Sequence, residues 1–158
     1  MERIDELFTV DPNSWIDALQ PYQKNTIEKL YAENGSYEET AKAWLTASMS
    51  TTVPFGTEKG HSIFYEKILD EIEAFLDGNE KYKDDRIALL QEKSVVQTYI
   101  ISTISVALSP LLGASAAFLA PVIAIAFVTI TKIGINAWLE MRKAKKASKD
   151  VSQKQTDS

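Results

Sequence analysis

The sequence predicts an all-α protein: a small cytosolic helical module over residues 1–93, a two-helix transmembrane hairpin over 94–141, and a basic tail over 142–158 that is expected to be disordered. Three observations predict it. Apolar residues between positions 15 and 90 recur at three- and four-residue steps, the spacing of one helix face. Residues 94–131 contain no Asp, Glu, Lys, Arg or His. Charge is also segregated, with 10 Lys+Arg against 19 Asp+Glu in residues 1–93 and 7 against 3 in residues 132–158. At a usual charged fraction of about 25%, an uncharged run of that length arises by chance on the order of once in 10⁵ trials.

The elements follow in order. Asp11-Pro12-Asn13-Ser14 is a helix-start cluster, after which Trp15, Ala18, Leu19 and Tyr22 share a face. Pro21 lies inside that pattern and predicts a kink or restart. The same face resumes at Ile27, Leu30 and Tyr31 and stops at Asn34-Gly35, where a helix end calls for a left-handed residue. Ser36-Tyr37-Glu38-Glu39 reads as a capping box, and Tyr37, Ala41, Trp44, Leu45 and Ser48 line the helix behind it. Residues 49–60, punctuated by Pro54, Gly56 and Gly60, read as a loop. Phe64 or Tyr65, Ile68, Leu69, Ile72, Phe75 and Leu76 make the next helix, which ends at Asp77-Gly78. A further helix starts near Asn79, carries Tyr82, Leu89 and Leu90, and is expected to run unbroken into the apolar segment.

As one helix, the uncharged run would be about 57 Å long, nearly twice the roughly 30 Å hydrocarbon thickness. A turn over residues 109–115, with Pro110 ending the hydrogen-bond ladder and Gly113 permitting the reversal, splits it into spans of about 94–111 and 114–139. Both ends then lie on one side. Arg86 and Lys93 flank one end and Arg142, Lys143, Lys145, Lys146 and Lys149 the other, so both termini are expected in the cytoplasm. Trp138, Arg142 and Lys143 are the expected interfacial anchors, and Lys132 is placed to snorkel. In the first span eight Val, Ile and Leu residues favour insertion, while Gln97, Thr98, Ser102, Thr103, Ser105 and Ser109 oppose it, leaving a balance near zero. The polar residues fall on stripes, Thr98, Ser102, Ser105 and Ser109 on one span and Thr129, Lys132, Asn136 and Glu140 on the other. Such stripes serve helix packing or line a pore built from several copies. The third possibility is a hairpin buried in its own bundle, which fewer than 95 amphipathic residues would be hard pressed to cover.

Chemistry is not expected. The chain has no cysteine, which removes thiolate metal sites, disulfides and thiol catalysis. His61 is the one histidine and has no partner pattern for a triad or a metal site, and Gly-rich phosphate loops are absent. Residues 26–48 have the outline of a helix-turn-helix, but Glu38 and Glu39 at the second helix oppose phosphate binding, so nucleic acid is not an expected partner. Glu71, Glu73, Asp77, Glu80, Asp84 and Asp85, interspersed with Lys81, Lys83 and Arg86, read as a solvated helix face rather than a calcium loop. The N-terminus lacks the apolar core of a secretory signal.

The uncharged hairpin behind an amphipathic helical body resembles, in layout and over the last third of the chain, the pore-forming domains of colicins. It is also similar to small two-span membrane effectors of bacterial antiphage systems, retron-associated ones included. The resemblance implies a non-enzymatic effector without cofactor at the bacterial inner membrane, acting on lipid as a homo-oligomer when residues 1–93 meet a trigger or protein partner. The other reading is a tethered adaptor, in which the hairpin anchors and a module bearing Trp15, Trp44 and Phe64 binds another protein.

Overall fold

The computed structural model describes residues 2–48, 58–91 and 96–156, and among them all regular structure is helical. Helix α1 (Glu2–Glu6) and the short α2 (Ser14–Asp17) lead into α3 (Pro21–Asn34), α4 (Tyr37–Ser48) and α5 (Glu58–Leu76). A 3₁₀ turn (Glu80–Tyr82) precedes α6 (Lys83–Gln91), and the chain continues through α7 (Gln97–Leu112), α8 (Ala116–Ile133) and α9 (Ile135–Thr156).

Local chemistry accounts for the boundaries. Pro21 restarts the chain: it opens α3 behind an extended Gln20, where its missing N–H costs nothing. Gln23 Oε1 accepts the Gln20 N–H at 3.0 Å. Gly35, at φ 74°, closes α3, and Ser36 Oγ accepts the Glu39 N–H to start α4, which is the serine half of the expected capping box. The 49–60 loop falls mostly outside the described residues, apart from the start of α5 at Glu58. Arg86, expected to flank a membrane span, is instead buried, where its Nη1 donates to Phe75 O at 3.0 Å and Asn79 O at 3.2 Å and so satisfies the end of α5.

Four expectations are corrected. No single helix joins the module to the apolar segment: Val96 is extended (φ −97°, ψ 157°), and α7 begins only at Gln97. Pro110 lies inside the last turn of α7 rather than ending it, and the residue four back, Val106, is on the solvent-exposed side of the helix. The reversal belongs to Gly113 (φ 66°) and to Ser115, whose Oγ accepts the Phe118 N–H to cap α8. The second span is cut at Gly134, whose φ 93° and ψ 146° suit glycine alone. The basic tail is helical through Thr156, and its first residues pair with carboxylates of α5.

The core is organised around α8. Residues 121–128 are buried without interruption, so this helix has no solvent face over two turns. A helix apolar on all sides needs cover on all sides. Helices α2, α3, α4, α5, α7 and α9 all pack against it. Its centre is an aromatic cluster, where Phe127 meets Trp15 edge-on at 4.9 Å and Phe8 at 5.1 Å between ring centroids. Cover by so few residues is achieved because α1 and the 7–12 turn, unrecognised in the sequence, add Ile4 and Phe8 to the sheath.

Candidate functional site

Helix α8 has 18 residues and a mean hydropathy of 2.1, which makes it the one helix among the described residues long and apolar enough to cross a membrane. Its neighbour α7, at 16 residues, is apolar but shorter. The two form an antiparallel hairpin. Helix α7 covers α8 with Ile100, Ile101, Ile104 and Leu108, and turns Tyr99, Ser102, Val106 and Leu111 to the outside. No residue of α7 is ionisable except the Tyr99 phenol. An exposed helix face without charge is uncommon on a water-soluble surface, where charged residues are the usual cover.

The sheath grips α8 through a few polar clips, and Pro121 explains one of them. Proline lacks an N–H, so the carbonyl four residues back, Ala117 O, loses its helical donor. Gln23 of α3 supplies one, with Nε2 donating to Ala117 O at 2.8 Å. The adjacent Phe118 O takes Trp44 Nε1 of α4 at 2.9 Å. At the other end Trp15 Nε1 donates to Thr131 Oγ1 at 2.8 Å. Sequence reasoning did not single out Gln23 and placed Trp44 only on the apolar face of its helix. The signal that could have found Gln23 is Pro121 within an apolar run, which leaves the Ala117 carbonyl in need of a side-chain donor. Replacing Gln23 by Leu is expected to destabilise the fold by about 1–2 kcal/mol. Adding Pro121→Ala, which restores an N–H for Ala117 O, is expected to recover part of that loss. A double-mutant cycle from urea unfolding checks it, and strict additivity would contradict the donor exchange.

The expected polar stripes are dispersed into separate tasks. Thr98 Oγ1 reaches Ala18 O, just past the end of α2, at 3.4 Å, and Ser109 Oγ donates to Ala114 O across the turn at 2.5 Å. Ser102 is exposed, whereas Ser105 is 1% exposed and its hydroxyl has no hydrogen-bond partner among the described residues. On the second stripe, Thr129 stays on α8, Lys132 is exposed with its ammonium 5.2 Å from the centre of the Tyr37 ring, and Asn136 and Glu140 are exposed on α9. The break at Gly134 separates the first pair from the second, so they do not form one helical line. Removing the lone Ser105 hydroxyl should relieve an unsatisfied buried group. Ser105→Ala is expected to stabilise the chain by about 1 kcal/mol, read as a higher urea midpoint with an unchanged slope.

Two of the expected interfacial anchors, Trp138 and Arg142, are engaged inside the fold, and Lys143 is exposed. Trp138 is buried in the core. Arg142 is 3% exposed, where Nη1 donates to Glu66 at 3.0 Å, Nε to Glu73 at 3.4 Å, and Nη2 to Asp70. Lys145 and Lys146 add contacts to the same three carboxylates, and Lys143 reaches Asp77 at 3.5 Å. Burial opposes charge on Arg142, but the Glu66 hydrogen bond and the surrounding carboxylates outweigh it and raise its pKa. Burial likewise pushes the Glu66 carboxyl up, and the hydrogen bonds from Arg142 and Lys145 bring it below its ordinary range. The acidic cluster read as a solvated face is thus split. Glu73 and Asp77 pair with α9, and Glu71 pairs with Lys81 and accepts the Tyr82 hydroxyl at 2.6 Å. The missed signal was complementarity: carboxylates at 66, 70 and 73 match cations at 142, 145 and 146, each set on one helix face.

Among the described residues no group of three His, Asp or Glu side chains is placed to hold a metal ion. No protein family, curated protein or solved structure matches this chain.

Proposed function

We propose that the protein is a small bacterial membrane effector that stores the α7–α8 hairpin inside a helical sheath and, when triggered, delivers it to the inner membrane, where copies assemble and permeabilise it. The carrying observation is the pairing of α8, apolar on all sides and of spanning length, with α7, which backs it and turns an uncharged face outward. The nine Phe, Leu, Val and Ile residues of α8 favour hydrocarbon by roughly 3–5 kcal/mol in sum, against the cost of Pro121, Thr129, Thr131 and Lys132. The one charge of the hairpin, Lys132, lies in the last turn of α8 and can stay at the interface while the rest exchanges a protein sheath for lipid. A trigger acting on residues 1–93 need only loosen the sheath, because the clips from Trp15, Gln23 and Trp44 are what tie it to α8 by hydrogen bonds. Both termini stay cytoplasmic in this reading.

A second reading, an adaptor whose helical module binds a protein partner, is favoured by the unbroken burial of residues 121–128, which gives α8 little to gain by leaving. One experiment separates the two. The chain is induced in bacteria while membrane potential is followed, and the purified protein is added to dye-loaded phosphatidylglycerol vesicles. The effector reading expects collapse of the potential, and faster dye release by the Gln23→Leu/Trp44→Phe variant than by the parent. Unchanged potential at high expression together with sealed vesicles for both proteins would overturn it in favour of the adaptor.

A further inference from the structure

Gly134 is the single residue between α8, which ends at Ile133, and α9, which starts at Ile135. Its N–H still donates to Ile130 O at 2.7 Å, and its carbonyl still accepts the Trp138 N–H at 3.0 Å, so both helical ladders run up to it. Only its backbone angles, φ 93° and ψ 146°, separate the two helices. Packing does not ask for a glycine there, because a Cβ would meet nothing within 4 Å. Nor does the neighbouring sequence ask for a break. From Val122 to Ser158 there is no proline and no second glycine, and a lone glycine is tolerated inside a helix at modest cost. Straightening would give the first N–H groups of α9 the last carbonyls of α8 as partners. What the bend secures is tertiary: it lays Trp138 in the core and sets Arg142, Lys145 and Lys146 against Glu66, Asp70 and Glu73 of α5.

We infer that the chain has a second form, a two-fold dimer in which α8 and α9 are one straight helix of about 60 Å and each α9 docks on the α5 of the other copy. Charge fixes the occupant. A straightened α9 points away from its own α5, which leaves the carboxylates at 66, 70 and 73 without their cations and the cations at 142, 145 and 146 without their carboxylates. A second copy in the same state lacks and offers the same two sets, the self-complementary arrangement of a two-fold pair. A hinge of one residue under backbone strain is also the kind that exchange relieves. Straightening completes a further surface. Ile133, Ala137, Met141 and Ala144 are all exposed, and the break keeps Ile133 apart from the rest. On one continuous helix they fall at steps of four, four and three, an apolar stripe along which the two long helices of such a dimer can cross. The dimer does not rest on the membrane reading and holds equally for an adaptor.

Gly134→Ala biases the equilibrium from both sides, since alanine is strained at φ 93° and favoured within a helix. It is expected to dimerise at a concentration at least tenfold below that of the parent, read by light scattering behind a sizing column. Cross-linking then reads the exchange. Equal amounts of ¹⁴N- and ¹⁵N-labelled full-length chain are unfolded together in urea and refolded. A carbodiimide then joins lysine amines to the carboxylates beside them as amides, with loss of water. In the Gly134→Ala dimer about half of the Lys145–Glu66 and Lys146–Glu73 cross-links are expected to join chains of different isotope, the share that random pairing gives. A folded Gly134→Ala that stays monomeric, or a dimer whose cross-links join only like isotopes, would overturn the inference. If Gly134→Ala does not fold, the parent refolded at millimolar concentration decides. Mixed cross-links that vanish when two glycines are inserted after Gly134, giving the turn slack, support the exchange. Their absence from the parent, or their persistence in the insertion variant, overturns it.

Discussion

Arg142→Met is expected to be among the most damaging single changes in the molecule, destabilising it by about 3 kcal/mol. The methionine replaces the aliphatic stem and its packing but removes the guanidinium. Glu66, Asp70 and Glu73 then face one another on α5 with only Lys145 and Lys146, which are about half exposed, to balance them. Removing one member of a buried ion pair commonly costs about 3–5 kcal/mol because the other is left charged and poorly solvated. The lower end applies here, since the Asp70 side chain is 44% exposed and retains water. Urea unfolding at neutral pH measures it. A companion variant, Arg142→Met with Glu73→Leu, removes the most buried of the three carboxylates and should recover more than half of the loss. A loss below 1 kcal/mol for the single variant would mean that the node is no more than a surface ion pair.

The same node makes an acid-dependence prediction. The Glu66 carboxyl is held below its ordinary range in the folded chain by Arg142 and Lys145. A carboxyl whose folded pKa is depressed contributes stability that is present above its unfolded value, about 4.3, and is lost as pH falls through the folded one. The parent chain should therefore hold its urea midpoint from pH 7 down to about 5 and lose it progressively below 4. Arg142→Met, lacking the partner that depresses Glu66, should show a shallower slope in that lower window. Parallel pH profiles for the two proteins would remove Glu66 from the account.

Much of this fold was legible because helix signals are local. Gly35 and Gly113 at helix ends, Ser36 as a cap and the apolar spacing of Ile68, Leu69, Ile72 and Phe75 each act within one or two turns of chain. What sequence could not supply was pairing at a distance. Charge-free residues 94–131 say that the segment avoids water, and lipid or protein satisfies that equally. The structure surrounds α8 with six helices, and that arrangement depends on Trp15, Gln23 and Trp44 reaching it across sequence separations of 74 to 116 residues. Arg142 was misplaced for the same reason. A basic run beside an apolar one reads as a topology signal until the carboxylates of α5, some seventy residues earlier, are brought beside it. Of the polar side chains on α7, only their alignment on one face was visible beforehand. That Ser105 would be buried without a partner while Thr98 and Ser109 found theirs depends on the rotation of α7 against α2 and the turn, which periodicity fixes only to within a face.

Phe127→Ala is the other change expected to have a large effect, at about 3–5 kcal/mol. Phe127 is fully buried at the middle of α8, with Trp15 and Phe8 against its ring. Truncation removes the transfer free energy of a whole aromatic side chain. It also forfeits two edge-on contacts, each worth about 0.5–1.5 kcal/mol beyond burial. The cavity left behind would be slow to collapse, because α8 is hemmed in by six helices that cannot all move inward. Phe127→Leu keeps most of the volume and should cost well under half as much. Measured together, the pair separates two ways in which this helix could be held. If α8 is fixed by close packing at its centre, alanine and leucine differ by at least 2 kcal/mol and both lower the urea midpoint. If α8 sits in its sheath loosely, gripped mainly by the hydrogen bonds at its ends, the two substitutions cost nearly the same, and Gln23→Leu exceeds either. The first outcome is expected, because the interlocked rings of Phe8, Trp15 and Phe127 leave no room for an aromatic side chain to be idle.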